Sequence, residues 1–122
     1  MNQEVCSMDT KRISNLTRLF QENKDVFIAL GDETRLHIII EMLKLASINP
    51  NCEGIRVGKI CKISNLSRPA ISHHMKYLKD SGIIKVNKKG TMNFYYLDAD
   101  SRLNNIIHIL KESIEICNER KK

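Results

Sequence analysis

The clearest pattern of apolar and polar positions lies between Val57 and Leu97. From Ala70 to Ser81 the apolar positions are Ile71, Met75 and Leu78, the four-then-three spacing of one helical face. Ser67 offers an N-cap hydroxyl to the unpaired amides of the first turn. Pro69 is tolerated there because those amides have no helical partner. Gly82 is placed to end the helix in a left-handed conformation. With Ile71, Met75 and Leu78 turned inward, the opposite face carries Arg68, Ser72, His73, Lys76 and Lys79. All of these donate hydrogen bonds and none is acidic. A shorter helical pattern precedes this one, roughly Val57 to Ser64, with Val57, Ile60 and either Cys61 or Ile63 inward. Asn65-Leu66-Ser67 breaks the two apart, with Leu66 as the apolar plug such a corner needs.

After Gly82 the period changes. Ile84-Lys85-Val86 alternates, and Met92 to Leu97 is rich in aromatic residues. Asn87-Lys88-Lys89-Gly90 reads as the turn between them, with Gly90 able to take a positive φ. Ile55-Arg56-Val57 is a candidate third strand. Two helices and a hairpin in this order predict a winged helix-turn-helix, mainly α with a small β-hairpin wing.

The flanks are helical. Residues 1–8 are expected to be disordered. From Asp9 to Gln21, residues Ile13, Leu16, Leu19 and Phe20 form one apolar face. Lys24 to Leu30 adds Val26, Phe27 and Leu30, and Gly31 punctuates. Asp32 then caps a helix to about Ala46, expected to turn Leu36, Ile39, Ile40 and Leu43 inward and Glu33, His37, Glu41 and Lys44 outward. Ser47 to Gly54 reads as a polar loop around Asn49-Pro50-Asn51. Asp98, Asp100 or Ser101 caps a last helix to about Asn118. On it Leu103, Ile106, Ile107, Leu110, Ile114 and Cys117 recur at coiled-coil-like spacing. One small domain cannot bury both terminal stripes, so a homodimer through helices 9–22 and 100–118 is expected. Its interface would take Ile13, Leu16 and Phe20 with Leu103, Ile106, Ile107, Leu110 and Ile114. The domain spans residues 9–118, and residues 119–122 form a basic tail that complements the helix dipole.

Charge narrows the function. The chain has 122 residues and a net charge of +6. Between Arg56 and Gly90 stand nine Lys or Arg and one acid, Asp80, a net +8 that leaves −2 for the remainder. Basicity gathered on one module is the footprint of a polyanion partner. The expected ligand is double-stranded DNA, read in the major groove by Arg68, Pro69, Ser72, His73, Lys76 and Lys79. Lys88 and Lys89 would anchor the wing on a phosphate or in the minor groove. The rival reading is a winged-helix protein-interaction module whose same helix binds an acidic protein.

Three further stretches, LGDETRLHIII, LSRPAISHHMKYLKDSGII and KGTMNFYYL, resemble the ArsR/SmtB family of transcriptional repressors. The resemblance runs from about Lys24 to Cys117. It implies a homodimer on an inverted-repeat operator, often released by an effector. Two metal-site types known in that family do not carry over. Arg56, Val57 and Gly58 stand where one needs Cys-x-Cys. Asp98, Asp100, Lys111 and Ile114 stand where the other needs Asp-x-His and His-x-x-Glu or His. Lysine and isoleucine do not complete a zinc shell.

Other chemistry is sparse. His73 and His74 point about 100° apart on a helix and do not grip one ion. His73 faces outward, and His74 is expected to be packed and hydrogen-bonded. No catalytic motif, cofactor or metal site is expected. Cys61 reads as a small core residue. Whether Cys6, Cys52 or Cys117 forms a thiol switch stays open, as does the identity of any effector. There is no signal-peptide pattern and no apolar run of membrane-spanning length, so a cytoplasmic protein is expected.

Overall fold

The computed structural model describes residues 9–48, 54–98 and 102–120. Six helices and one hairpin follow in the order α1 (Thr10–Glu22), α2 (Lys24–Leu30), α3 (Glu33–Ile48), α4 (Val57–Ser64), α5 (Arg68–Asp80), β1 (Ile84–Lys89), β2 (Met92–Leu97) and α6 (Leu103–Arg120). The expected disorder of residues 1–8, the Asn49-Pro50-Asn51 loop and the caps Asp100 and Ser101 lie outside the described residues. So do Cys6, Cys52 and the tail residues Lys121 and Lys122.

Local chemistry sets the ends of these elements. Asp9 caps α1, accepting from the amides of Lys11 at 2.9 Å and Arg12 at 3.3 Å. Asn23 forms the α1–α2 corner, where its side-chain amide donates to the Leu19 carbonyl. Arg102 ties that corner to the rest. Its guanidinium donates to the Asp25 carboxylate, the Glu22 and Ser81 carbonyls and the Asn23 side chain. Arg102 also holds the Asp25 carboxyl below its ordinary pKa. Gly82, with φ of 79°, lets the chain turn after α5 against that arginine. A β-carbon there would lie 2.8 Å from Arg102 Cδ.

The core joins Val26 and Ala29 of α2, Ile38 and Met42 of α3, and Ile60 of α4 to Ile71, Met75 and Leu78 of α5. Ile55, Ile83, Ile84, Ile106 and Ile109 complete it. Leu66 packs against this cluster from the α4–α5 corner, as expected, and so does Cys61. The strands pair antiparallel, from Ile84 opposite Leu97 to Lys89 opposite Met92. Ile55 adds one bridge to Tyr95, through bonds of 2.7 and 2.8 Å, in place of a longer third strand.

Four expectations need correction. On α3 the buried residues are Arg35, Ile38 and Met42, whereas Leu36, Ile40 and Leu43 are exposed. That helix is apolar on nearly every side, so its sequence has no single inward direction. Helix α3 also runs two residues beyond Ala46. Asn87, Lys88 and Lys89 belong to β1, and the turn is Gly90-Thr91, with φ of 62° at Gly90. Ile106 lies in the chain's own core at 7% exposure, and Leu103 and Leu16 pack against that core, so none of the three sits on an open stripe. Helix α6 carries two apolar faces: Ile106, Ile109 and Ile116 inward, and Ile107, Leu110 and Ile114 outward.

Candidate nucleic-acid interface

The α4–α5 corner turns through Asn65, whose φ of 61° is left-handed and suits a short polar side chain. Ser67 Oγ then accepts from the Ala70 amide at 3.3 Å, and Pro69 sits in the first turn. These features start α5 where its apolar face meets the core. Ile71, Met75 and Leu78 are at most 1% exposed. Their burial fixes the rotation of the helix and leaves Arg68, Pro69, Ser72, His73, Lys76 and Lys79 in solvent. Lys76 Nζ pairs with Asp80 at 2.9 Å. The hydrogen bond raises the lysine pKa and lowers that of the carboxylate. Such exposed pairs are weak.

The inner edge of α5 is held by groups that periodicity does not single out. Arg35 is buried. Its Nε donates to the Ala29 carbonyl at 2.9 Å and its Nη2 to the Ile28 carbonyl at 3.2 Å. It thereby serves carbonyls at the end of α2, where helical donors run out. The guanidinium also stacks over the Tyr77 ring of α5, 4.1 Å from its centroid. Asp32 caps α3 by accepting from the Arg35 amide at 3.0 Å, which lowers the Asp32 pKa. His74 is packed as expected, but among the described residues its buried Nδ1 lacks the expected hydrogen bond. Burial pushes the His74 pKa down. The charge of Asp32 opposes this, while Arg35 and His73 reinforce it.

A cleft of about 750 Å³ opens between the wing, the start of α4 and the start of α5. Arg68 and Ser72 line it, as do Arg56, Lys59, Thr91 and Asn93, to which the sequence pattern assigns no site role. Arg56 and Lys59 belong to the basic segment, but only the fold brings them to one cleft with Arg68 and Ser72 of α5. On the wing, Lys88 lies opposite Asn93 and Lys89 opposite Met92, so the two lysines sit on opposite faces of the hairpin. Both are exposed.

Metal chemistry finds no cluster here. Among the described residues no three His, Cys, Asp or Glu side chains come together. Asp98 is engaged by Lys85 at 2.5 Å. Cys61 is half-buried and Cys117 exposed, and both are free thiols. Among the described residues, no helix is long and apolar enough to cross a membrane.

Residues 32–86 match the family described as bacterial regulatory protein, arsR family. An HTH-type transcriptional regulator of Methanocaldococcus jannaschii is 40% identical over 93 residues, covering 76% of this chain and 96% of that protein. The chain belongs to the ArsR family. The transcriptional repressor SdpR of Bacillus subtilis is 34% identical over 75 residues, covering 62% of this chain and 74% of its own length. The fold agrees. The crystal structure of an ArsR family transcriptional regulator superposes with a TM-score of 0.64 at 21% identity, covering 80% of this chain and 93% of that one. A homodimeric winged helix-turn-helix DNA-binding domain from Mycobacterium bovis has a TM-score of 0.57 at 18% identity, covering 79% and 83%. The architecture is therefore the winged helix-turn-helix that the patterning predicts.

Proposed function

We propose that this ArsR-family chain is a sequence-specific DNA-binding transcriptional repressor, acting as a homodimer on an inverted-repeat operator. One observation carries the reading. The outward face of α5 presents Arg68, Ser72, His73, Lys76 and Lys79 in solvent, while Ile71, Met75 and Leu78 lock the opposite face in the core. A helix so held offers donors to base edges and phosphates, and Lys88 and Lys89 extend the positive surface along the wing. The repressor SdpR and the homodimeric Mycobacterium bovis domain support the direction of control and the assembly. Phe20, Ile107, Leu110 and Ile114 are the exposed members of the expected interface, and they form the self-complementary patch proposed here.

The test is a fluorescence-anisotropy titration on duplex DNA from the promoter of the chain's own gene. Wild type should bind with a steep salt dependence. Arg68→Ala should relax discrimination at one base position by about 1–3 kcal/mol. Equal binding to that duplex and to an acidic polypeptide of matched charge would favour a protein-interaction module instead.

A further inference from the structure

Helix α3 carries an apolar stripe that the core does not use. Leu36, Ile40 and Leu43 are 42%, 50% and 54% exposed. At about 100° per residue the three fall within about 60° of one another, on the side turned away from the buried Ile38 and Met42. The helix packs on α2, α4 and α5. The exposed residues of the proposed dimer patch, Phe20, Ile107, Leu110 and Ile114, belong to α1 and α6. The stripe thus stands on a different element from that patch.

Charges beside the stripe point to its occupant. Glu33, His37 and Lys44 are exposed and border one flank, about 60–100° round from Leu36. Lys44 meets Glu41 of its own helix at 3.3 Å, yet its side chain stays 67% exposed and open to a further carboxylate. Glu33 lies in the first turn, about 16 Å before Lys44 along the axis. Two copies of α3 packed antiparallel about the middle of the stripe bring Lys44 of one to within about 3 Å of the axial level of Glu33 of the other, on the same flank. Parallel packing sets Lys44 beside Lys44 and Glu33 beside Glu33. The face is therefore complementary to itself in the antiparallel sense, as a two-fold contact requires.

We infer that this face joins two copies of the chain, antiparallel through Leu36, Ile40 and Leu43, and that it links neighbouring dimers on DNA. The inference rests on the proposed homodimer and extends it to a dimer of dimers. Three side chains on two helical turns cover far less than the roughly 800 Å² per partner of a standard stable interface. A contact of that size is weak between free dimers. It becomes effective when two dimers sit on one duplex, where each meets the other at high local concentration. Its role is then cooperative occupancy of adjacent sites.

The experiment follows full-length protein by sedimentation equilibrium from micromolar to near-millimolar concentration, with thermal melts alongside. Wild type should pass from dimer to tetramer at the upper end. Ile40→Glu should weaken the tetramer about a hundredfold, because the contact then buries two charges without partners. Its melt should match wild type, since Ile40 faces solvent. Glu33→Lys sets like charges together and should weaken the tetramer several-fold, and Glu33→Lys/Lys44→Glu should restore it. Failure of that rescue would overturn the antiparallel pairing. On a random-sequence duplex long enough for several dimers, wild type should bind with a cooperativity that Ile40→Glu lacks, and equal cooperativity would overturn the link between dimers. Leu110→Glu separates the two faces. Wild-type association that stops at the dimer and is abolished by Leu110→Glu alone would overturn the inference and leave the proposed homodimer intact. Association abolished by Ile40→Glu alone would instead overturn the homodimer through α6 and leave the α3 contact standing. Binding to phosphatidylglycerol vesicles that Ile40→Glu abolishes, with no tetramer at any concentration, would make a lipid surface the occupant and overturn the second copy.

Discussion

Leu110→Glu tests the proposed assembly most sharply, because the structure separates the outer stripe of α6 from the chain's own core. Ile107, Leu110 and Ile114 are 51%, 49% and 60% exposed. Burying such a side chain fully is worth about 1.5–3 kcal/mol, and half of that surface is already withdrawn within the chain. Association therefore has about 1 kcal/mol per residue left to gain. A two-fold axis counts every residue twice, so the stripe contributes about 6 kcal/mol to the dimer. Leu110→Glu removes about a third of that and places two like charges in an apolar interface, each costing several kcal/mol to desolvate without a partner. A weakening of about 4 kcal/mol or more is expected, roughly a thousandfold in the dimer dissociation constant. Sedimentation equilibrium over a wide concentration range measures it. Circular dichroism should show an unchanged helix content, because Ile106, Ile109 and Ile116 hold α6 to its own chain. Duplex affinity should fall together with dimerisation, since two half-sites require two linked recognition helices. A Leu110→Glu protein that dimerises as tightly as wild type would refute the assignment of this face.

Three other perturbations probe the site's supports. Arg35→Leu strips the side-chain donor from the Ala29 carbonyl, one of two donors from the Ile28 carbonyl, which keeps the Gly31 amide, and the cation from Tyr77, and should cost about 3 kcal/mol in urea unfolding. A cost below about 1 kcal/mol would show that solvent satisfies those carbonyls. Asp80→Asn releases Lys76 from its ion pair and should strengthen binding to all duplexes alike at low salt, as followed by anisotropy; no change would mean that Lys76 does not meet DNA. His74 has a folded-state pKa below its ordinary 6.5. As pH falls through that value, the unfolded chain takes up the proton first, so stability declines until the folded state is protonated too. Urea melts at about pH 7.5 and 5.5 should show a larger acid destabilisation for wild type than for His74→Gln, and equal changes would contradict burial as the cause.

The legibility of the chain followed the contrast between its faces. Helix α5 was readable because Ile71, Met75 and Leu78 alternate with donors on the opposite side, and Ser67 marks the start. The break between α2 and α3 was readable from Gly31, which caps the end of α2. Helix α3 was not, because Leu36, Ile40 and Leu43 compete with Ile38 and Met42 for the inward direction. Its buried Arg35 also looks like a surface residue until the terminal carbonyls of α2 are in place. Helix α6 hid a second stripe, Ile109 with Ile116, behind the one at coiled-coil spacing. Lys88 and Lys89 resembled a loop by composition, although the ladder satisfies their backbone while their side chains face solvent. Arg56 and Lys59 were visible as charge only. Assigning them to a cleft required the fold that brings the start of α4 beside Arg68 and the wing.

The central claim is that α5 reads duplex DNA as one half of a symmetric pair. Selection of bound duplexes from a randomised library, followed by sequencing, tests it most directly. Wild type is expected to recover an inverted repeat with half-sites about 10–10.5 base pairs apart, or a multiple of that spacing. A variant carrying Arg68→Ala, Ser72→Ala and His73→Ala should recover duplexes without a shared motif. Random sequences recovered by wild type, or an unchanged motif recovered by the triple variant, would contradict the account.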